Sequence, residues 1–587
     1  MVQFGIAQGQ DTTPTTAELL DKSNYALRSI IQGLSSKDNS EAAFRVDSTY
    51  YLPESIPFFS SIEAGLRWNE SSSVNNTAST NLGLNGTIYS PRADEFADIV
   101  SAGPSNFNSA DGRTLYFGDY LVIDKDQAFA DPESVIATLN SAILANNDAN
   151  LAAGNITVRE DGTYGNNTLS TPTTSLTNFF DITEATTALY AQGNFEQEVG
   201  DIFIRGSVGA RYIKTDLDSL GNGVQVDPDG NQIVTQDVSS GSYNYFLPRL
   251  NVVAEVSDKL MLRGGIAKDI RRPNFSQVST SVNWNTGIEQ GISIGNPNLK
   301  PEEVISFDLS AEYFMSDSSF VSIGLFHKVR SNLFDTIREN VVEEVGENGQ
   351  IERDITDPCE GGGIFNATIP GISRGVWSSS TEGNGICVPI QTHYNVQSDE
   401  TQTGIEIAFQ HDLSGYEETL GWASGFGIIA NYTYQEAGAQ VDAFKDGSGD
   451  ANSLNILLGR YDTDQSTPTL DDDVVQERLT LENLSENAYN FTLFYDKYDL
   501  SVRARYTWRS AYRTTNTPSF DLQRIVDDRA QLNLSVSYDV TDSLTVGIDG
   551  VNLLREDETQ WCVNEGALLC AQGITDRRVT LGATARF

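Results

Sequence analysis

The sequence predicts an all-β fold, a large antiparallel transmembrane β-barrel whose strands have one apolar and one polar face. In the last predicted strand, Arg577–Phe587, the apolar residues Val579, Leu581, Ala583 and Ala585 alternate with polar residues or glycine. The same alternation recurs in many earlier segments, which are joined by very short turns and long polar loops in turn. A soluble sandwich can show the alternation, but the unequal rhythm of turns and loops is typical of outer-membrane barrels.

The length and charge of the chain limit its organisation and its partners. No linker rich in Pro, Ser or Gly divides the 587 residues, so one large repetitive architecture is predicted. Lys and Arg number 38 against 81 Asp and Glu, a net charge of -43. Phosphate binding needs clustered cations, so the balance argues against nucleic acid and anionic lipid headgroups as partners. The acidic loops are interpreted as a solvated surface, with the gathering of divalent cations as the alternative.

The hydropathy of the chain excludes a helical membrane protein. Its mean hydropathy is -0.30, and no stretch approaches the roughly 20 apolar residues that a membrane helix needs. A barrel remains allowed, because only every second residue of each strand must be apolar. The segment Met1–Gln10 has neither the positive charge nor the apolar run of a signal peptide.

About 15 segments are predicted as strands from their period of two. Residues 70–183, between the second and third of them, carry no sustained period. The predicted strands are Ala43–Leu52, Ser60–Asn69, Glu184–Gln197, Ile202–Asp216, Tyr245–Val256, Leu260–Ile270, Ile305–Met315, Phe320–Arg338, Val396–Leu413, Trp422–Gln435, Asn487–Tyr495, Leu500–Arg513, Ala530–Val540, Leu544–Leu554 and Arg577–Phe587.

The polar face of these strands is interpreted as the lumen and the apolar face as the lipid contact. In Leu500–Arg513 the polar face carries the arginines Arg503, Arg505 and Arg509. Arginine side chains are tolerated in a hydrated lumen, whereas they would destabilise a face in contact with lipid. The outward aromatic residues of the same strand are predicted to belong to a girdle at the membrane surface. These residues are Tyr506, Trp508 and Tyr512.

Three motifs resemble those of TonB-dependent outer-membrane receptors. They are Phe246–Asn251, Leu262–Phe275 and, most specifically, Gly295–Glu302, which leads into the strand Ile305–Met315. Asn552–Leu554 and the final Arg586 and Phe587 fit the same pattern. The residues of the most specific motif are Gly295, Asn296, Pro297, Asn298, Leu299, Lys300, Pro301 and Glu302.

The resemblance implies a 22-stranded barrel in bacterial outer-membrane lipid, an N-terminal plug inside it and energised uptake of a scarce nutrient. Its implied partners are a TonB-type energy-transducing protein, reached through the plug and its TonB box, and the outer-membrane barrel assembly machinery, for which Phe587 would be the C-terminal signal. No segment before Ala43 fits a plug. We therefore expect residues 1–42 to be the remnant of an extracellular loop and residues 43–587 to be the C-terminal part of the barrel, about its last 15 strands.

The four cysteines fall in two predicted extracellular loops. Cys359 and Cys387 share one loop, and Cys562 and Cys570 share another, in an environment that permits disulfides. We expect two local bridges, with free or cross-paired thiols as the alternative. Neither pair has the C-x-x-C spacing of a zinc site.

Catalytic and metal-binding motifs lack the context that they need, so no enzyme activity, cofactor or metal site is predicted. Gly371–Gly375 matches G-x-S-x-G but lies inside a loop without the strand-turn-helix that exposes such a serine. Asp227–Gln232 begins like a calcium loop but lacks the later acidic ligand. Asp471–Asp473 reads as a solvated run of charge. The three histidines, His327, His393 and His411, are scattered along the chain.

The ligand is less well defined by the sequence. Trp284, Trp377 and Trp561 lie in predicted extracellular loops, where an indole face could stack on a sugar ring or an aromatic chelator, or pack within its own loop. Acidic loops repel anionic ferric siderophores and tolerate neutral oligosaccharides, which favours an oligosaccharide. A siderophore or other metal chelate is the alternative ligand. A non-transporting secreted β-rich binding protein is the alternative class.

Overall fold

The computed structural model of the chain is dominated by one large antiparallel sheet. It describes residues 16–53, 55–56, 58–84, 89–103, 120–174, 179–226, 232–285, 291–338, 364–366, 386–438, 440–442, 477–479, 483–514, 524–562, 565–566 and 568–586. Fifteen strands of this sheet follow one another in chain order, and a sixteenth, Thr173–Thr174, pairs with the second of them. The predicted fold class, an antiparallel membrane barrel, is confirmed.

The fifteen consecutive strands are numbered here in chain order. They are β1 (Ser29–Tyr51), β2 (Phe59–Gly83), β3 (Phe180–Val199), β4 (Ile202–Val226), β5 (Gln232–Ser257), β6 (Leu260–Arg271), β7 (Glu302–Ser316), β8 (Ser319–Ser331), β9 (Glu400–Asp412), β10 (Phe426–Ala437), β11 (Asn487–Lys497), β12 (Leu500–Arg509), β13 (Arg529–Thr541), β14 (Leu544–Val551) and β15 (Arg578–Ala585).

The two ends of the sheet carry connections of very different length. Two residues join β3 to β4, β5 to β6, β7 to β8, β11 to β12 and β13 to β14. We call this the turn end. At the opposite end, the loop end, most connections are long; the one from β8 to β9 runs from Ser331 to Glu400. The predicted alternation of short turns and long loops is therefore present.

The two faces of the sheet differ in polarity. The outward face of β7 carries exposed apolar side chains that are two or four residues apart. These are Ile305, Phe307, Leu309 and Tyr313. Large exposed apolar side chains in this pattern are what a lipid-facing barrel wall requires. The opposite, inner face carries ion pairs between neighbouring strands, such as Arg263 with Glu312 and Arg249 with Asp269.

Strands β1 to β5 are far longer than a bilayer needs. β1 has 23 residues and β5 has 26, whereas about 9–11 residues cross a membrane. The outward face of these strands is mainly apolar toward the turn end, and beyond that band exposed apolar residues such as Leu34 and Val238 are isolated. Toward the loop end this band finishes at aromatic residues, including Trp68 and Tyr212, and an exposed ion pair between Lys214 and Asp216 follows.

This extension corrects the predicted start of the first strand. β1 begins at Ser29 and not at Ala43, so residues 29–42 are strand. The outward residues of that part include Ser36, Asp38 and Ser40, and side chains beyond the apolar band need not be apolar. The period of two in hydropathy therefore marks the lipid-facing part of the strand and not its end.

Other predicted boundaries are wrong where a strand of the wall is shorter than predicted and a short separate element or a loop takes up the remaining residues. The predicted strand Phe320–Arg338 ends at Ser331, and a separate strand Phe334–Arg338 follows Asn332, whose φ is 58°. Trp422 lies in the 3-10 helix Gly421–Gly425 before β10. Residues 396–399 precede β9, and Leu553 and Leu554 follow β14. The predicted Leu500–Arg513 ends at Arg509, followed by the short strand Tyr512–Thr514.

Residues 70–183, for which the sequence predicted no element, contain part of β2, the start of β3 and two helices. These are α1 (Lys125–Ala130), capped by Asp124, and α2 (Pro132–Ala152), capped by Asp131. One side of α2 is buried in a small core with Ile30 at the start of β1. The buried apolar residues of α2 are Val135, Leu139, Ala142 and Ile143.

The remaining elements are short. Two further helices are α3 (Phe275–Val278) and α4 (Glu417–Leu420). Among the described helices, none is long and apolar enough to cross a membrane. Other 3-10 helices are Thr16–Leu20, Lys22–Asn24, Ala97–Ile99 and Ser414–Tyr416. The small strands are Val100–Ala102, Leu121–Ile123, Asn283–Asn285, Gly291–Ile294, Ile364–Asn366, Ile386–Val388, Ile390–Asn395, Gln440–Asp442, Glu477–Leu479, Arg524–Val526, Glu558–Cys562 and Leu568–Gly573.

The aromatic residues predicted to form a girdle divide into two groups. Tyr506 and Trp508 stack on Tyr489, with ring centroids 6.0 and 5.0 Å apart, and the indole Nε1 of Trp508 donates to Asp528 at 2.8 Å. An apolar body with a polar tip suits a membrane surface. Tyr512 is different, because its ring contacts the guanidinium of Arg509.

Candidate functional site

The segment between β6 and β7, residues 272–301, folds back onto the loop-end part of β3 and β4. It begins with α3, whose capping box is formed by Asn274 and Gln277. Its apolar residues Val278 and Leu299 are almost fully buried against Phe180 and Ile182 of β3 and Leu217 of β4. The loop end of the barrel therefore has an apolar core of its own, which fixes the position of this segment.

Two glycines allow the segment to approach its neighbours closely. A Cβ at Gly295 would lie 2.5 Å from the backbone oxygen of Ser279, and a Cβ at Gly241 of β5 would overlap the backbone oxygen of Pro297. Real Cβ atoms do not come so close to backbone. Glycine at both positions lets main chain pack directly on main chain.

The motif Gly295–Glu302 is tied to the strand Ile390–Asn395 and to the wall. Asn296 donates through Nδ2 to the backbone oxygen of His393 at 3.0 Å. Asn395 accepts from the backbone N–H of Lys300 at 2.9 Å and donates to the Lys300 oxygen at 2.8 Å. The role of the motif in this structure is therefore to attach the folded-back segment to the small sheet beside it.

The last residue of the motif, Glu302, is a fully buried carboxylate. Arg271 of β6 donates to Oε2 of Glu302 through Nε at 2.6 Å, and Arg330 of β8 donates to Oε1 at 3.1 Å. A buried charge is tolerated when it is paired and hydrogen-bonded in this way. Arg330 also donates to Gln402, and Gln402 donates to Gln435. This series of side-chain hydrogen bonds therefore extends from Glu302 across β9 and β10.

A pocket of about 390 Å³ opens beside this segment at the loop end. Its lining has no Asp, Glu, Lys or Arg among the described residues, and it combines hydroxyl groups, amides, one imidazole and the buried ring of Phe180. Such a lining offers both donors and acceptors without net charge. The polar lining residues are Asn75, Thr77, Ser276, Ser279, Ser281, Ser293, Thr336, Gln391, Thr392 and His393.

The pocket is not predicted from the sequence. A segment rich in hydroxyl residues, Ser276 to Ser281, directly follows the family motif Leu262–Phe275 and is the one local signal of this site. Thr336, Thr392 and His393 come from distant segments that pair as strands, Thr336 opposite His393. Only the folded sheet brings these parts together.

His393 is held toward its neutral form. Burial lowers the pKa of the His393 imidazole from its ordinary value, and the carboxylate of Asp335 opposes this shift. Since the unfolded pKa is about 6.5, the folded state loses stability as the pH falls below that value, because the unfolded chain binds the proton more readily.

We expect His393→Gln to reduce the acid sensitivity of the fold. The wild type should lose more thermal stability than the variant when the pH is lowered from about 7.5 to about 5.5, across the unfolded pKa of histidine. The measurement is the unfolding midpoint in detergent at both pH values. An equal loss in the two proteins would show that His393 does not carry this dependence. His327→Gln, on the outward face of β8 in the barrel wall, is the matched control.

The tryptophans proposed to stack on ligand do not gather at this pocket in the described part of the chain. Trp561 is half-buried, and its Nε1 donates to Asp527 at 3.0 Å. This hydrogen bond stabilises the loop-end strands to which the tryptophan belongs. Trp284 belongs to the strand Asn283–Asn285, of which only the backbone is described. Trp377 lies outside the described residues.

One of the two expected disulfides is present. Cys562 and Cys570 are bonded and close the hairpin formed by Glu558–Cys562 and Leu568–Gly573. Cys359 lies outside the described residues, so the expected bridge to Cys387 stays a prediction. Outside them as well lie Phe587, Gly371–Gly375, Asp227–Gly230 and Asp471–Asp473. Within the described ranges, no group of His, Cys, Asp and Glu side chains could hold a metal ion.

An antiparallel barrel with short turns at one end and a built pocket at the other defines a membrane-barrel receptor architecture. The family model described as "TonB dependent receptor-like, beta-barrel" matches residues 5–553. The chain belongs to this family. No curated protein shows significant similarity to it.

Solved structures with a similar course of the chain include three transport proteins. The ferric citrate transporter FecA has 10% identity and a TM-score of 0.45, covering 95% of this chain and 56% of its own. The ferric-catecholate import receptor Fiu from K12 E. coli has 11% identity and a TM-score of 0.44, with 94% and 64% covered. The copper transporter OprC has 11% identity and a TM-score of 0.46, with 94% and 58% covered. The chain thus spans less than two thirds of each of these proteins.

Proposed function

We propose that this protein is an outer-membrane receptor for the energised uptake of a neutral oligosaccharide. The observation that carries the proposal is the uncharged, hydroxyl-rich and amide-rich lining of the loop-end pocket. A sugar presents many hydroxyl groups and little charge, so it is matched by side chains that both donate and accept. The ring of Phe180 adds an apolar surface of the kind that suits the face of a sugar.

The charge of the chain supports the same ligand class. With a net charge of -43, the protein repels anions at long range, and ferric siderophores are commonly anionic. A neutral sugar is not affected by this field. The outward apolar band supports placement in the bacterial outer membrane, and a TonB-type energy-transducing protein, acting through a plug, is the proposed energy source.

Thr336→Val is the variant that tests the pocket, since Thr336 stands opposite His393 and shares its face of the small sheet. It removes one hydroxyl at nearly constant volume, and losing a hydrogen bond to a sugar should weaken binding and uptake about three- to tenfold. The measurement is the uptake of labelled maltohexaose, xylohexaose and chitohexaose, with and without a protonophore, by cells that express the receptor together with a plug. Thr433→Val, on the inner wall of β10, is the control and should leave uptake unchanged.

A second variant separates sugars from anionic chelates. Gln391→Glu adds a negative charge at the pocket while keeping the size of the side chain. Uptake of a neutral sugar should change little, whereas an anionic ferric chelate taken up through this pocket would lose most of its uptake. Uptake of none of the sugars, together with protonophore-sensitive uptake of a ferric chelate that Gln391→Glu abolishes, would overturn the proposal.

A further inference from the structure

The pocket at the loop end is built from two halves that belong to different parts of the fold. The wall half comes from β2 and β3 and includes Asn75, Thr77 and Phe180. The sheet half comes from two small strands in the connection from β8 to β9, and it includes Thr336, Gln391, Thr392 and His393. These small strands pair with each other outside the barrel sheet. The shape of the pocket therefore depends on how this connection is held against the wall.

The two legs of the connection are joined close to the wall by four residues, which we call the neck: Asn332, Leu333, Asn395 and Val396. Asn332 directly follows β8. The backbone N–H of Val396 donates to the backbone oxygen of Leu333 at 2.8 Å. Nδ2 of Asn395 donates to the backbone oxygen of Asn332, also at 2.8 Å. The neck thus closes the base of the connection that carries the sheet half.

The amide of Asn395 also joins the neck to the family motif. Its Oδ1 accepts from the backbone N–H of Lys300 at 2.9 Å, and its Nδ2 donates to the Lys300 oxygen at 2.8 Å. Lys300 lies two residues before the start of β7. One side chain therefore bonds three backbone groups next to the ends of β7 and β8. A side-chain amide supplies this combination of acceptor and donors, whereas a carboxylate has no donor.

Asn395 lies on the same face of its strand as two of the pocket residues. Side chains two residues apart point to the same face, which places Gln391 and His393 on the face of Asn395. Thr336 stands opposite His393 and shares this face. A shift of Asn395 relative to the wall would therefore move these pocket side chains as well.

We propose that Asn395 is a positioning residue for the ligand, whose amide holds the sheet half of the pocket in place over the wall half. Asn395 is not one of the described residues that line the pocket, so it acts on the ligand through Thr336, Gln391 and His393. The inference rests on the proposed function, which supplies the ligand class, a neutral oligosaccharide. It adds that the affinity for the sugar is set partly by a residue that the sugar does not touch.

Asn395→Leu tests the inference, because it removes all three hydrogen bonds at nearly constant volume. The measurement is equilibrium binding of maltohexaose, xylohexaose and chitohexaose to the full chain in detergent. We expect the Kd of the sugar that the wild type binds to rise about tenfold, because the residues of the sheet half lose their alignment with the wall half.

Asn147→Leu is the matched control. Nδ2 of Asn147 in α2 donates to the backbone oxygen of Asn166 at 2.7 Å, and its Oδ1 accepts from the Asn166 N–H at 2.9 Å. This pair of bonds has the same form as that between Asn395 and Lys300, but neither residue belongs to the described lining of the pocket. The substitution should lower stability and leave the Kd of the sugar unchanged.

A double substitution separates a positioning role from a general loss of stability. Thr336→Val should weaken sugar binding about three- to tenfold in the wild type and in Asn147→Leu. In Asn395→Leu its effect should be less than about twofold, because a displaced sheet no longer presents the Thr336 hydroxyl to the sugar.

Asn395→Asp provides a second variant in case Asn395→Leu folds poorly. Its carboxylate lacks the donors at neutral pH, and the two carbonyl oxygens that it faces favour its protonated form. Lowering the pH from about 7.5 to about 4.5 should protonate it and restore one donor. The ratio of its Kd to that of the wild type should therefore fall toward one as the pH falls.

Hydrogen exchange without ligand tests the position of the sheet half independently of the ligand class. The backbone amides of residues 390–395 should exchange faster in Asn395→Leu than in the wild type, and not in Asn147→Leu. Unchanged exchange, an unchanged Kd in Asn395→Leu, or a full effect of Thr336→Val in Asn395→Leu would overturn the inference. If the wild type binds ferric citrate and no sugar, the proposed function alone fails, and Asn395→Leu should then weaken the binding of ferric citrate.

Discussion

Arginine in place of Val536 is expected to lower the free energy of unfolding by about 2–4 kcal/mol. Val536 lies near the middle of β13, opposite Val502 of β12 and Ile548 of β14, on the outward face. A guanidinium there must enter the hydrocarbon region or distort the bilayer around it. Val502→Arg should have the same effect, because it lies at the same depth. The measurement is denaturant titration of the barrel in detergent or lipid vesicles.

Ser535→Arg is the matched control, since Ser535 is the next residue and faces inward. Its hydroxyl donates to Asp549 at 2.7 Å, so an arginine there lies beside a carboxylate in the polar interior. We expect a much smaller change in stability than at Val536. Equal losses at positions 535 and 536 would refute the assignment of the two faces.

Glu302→Gln is expected to destabilise the barrel by about 3 kcal/mol, at the lower end of the range for breaking a buried ion pair. The glutamine keeps the size of the side chain but leaves Arg330, whose side chain is 26% exposed, without its charged partner. Arg271 is 63% exposed and its charge is largely screened by solvent, so it adds little.

Glu406→Gln on β9 is the control for the loss of a negative charge. Glu406 is an exposed residue of the inner wall, and its replacement should change the free energy of unfolding by less than about 0.5 kcal/mol. Denaturant titration of both variants measures the difference. If Glu302→Gln were as mild as the control, the buried carboxylate would not stabilise the loop end of the wall.

The strands of the wall were predictable because lipid imposes a period of two on one face. Each of the fifteen predicted strands corresponds to one of β1 to β15. The same rule explains the errors at strand ends. On the loop-end side of the aromatic residues Trp68 and Tyr212, the outward face is not in contact with lipid. The extensions of β1 and β2 therefore show no period of two in hydropathy.

Helix α2 was missed although its buried residues are spaced as a helix requires. Val135, Leu139, Ala142 and Ile143 fall at intervals of three and four, and Asp131 with Pro132 marks the start. A search for alternating residues alone cannot detect this spacing. The segment therefore shows no sustained period of two, and no strand is predicted in it.

The pocket could not be predicted, because its walls are assembled from segments that are far apart in sequence. The motif Gly295–Glu302 was recognised from resemblance, but its physical role depends on Asn395 and on the glycine at position 241, both in other parts of the chain. Trp561, which the sequence suggested for ligand stacking, is bonded to Asp527 in its own loop. Long-range pairing, and not local pattern, builds the site.

We propose that the loop-end pocket binds a neutral oligosaccharide. Equilibrium binding to the purified protein in detergent tests it most directly, with maltohexaose, xylohexaose and chitohexaose compared with ferric citrate and a ferric catecholate. We expect saturable binding of at least one sugar that Thr336→Val weakens and Thr433→Val does not, and no saturable binding of the ferric chelates. Saturable binding of a ferric chelate, with no sugar bound, would contradict the claim.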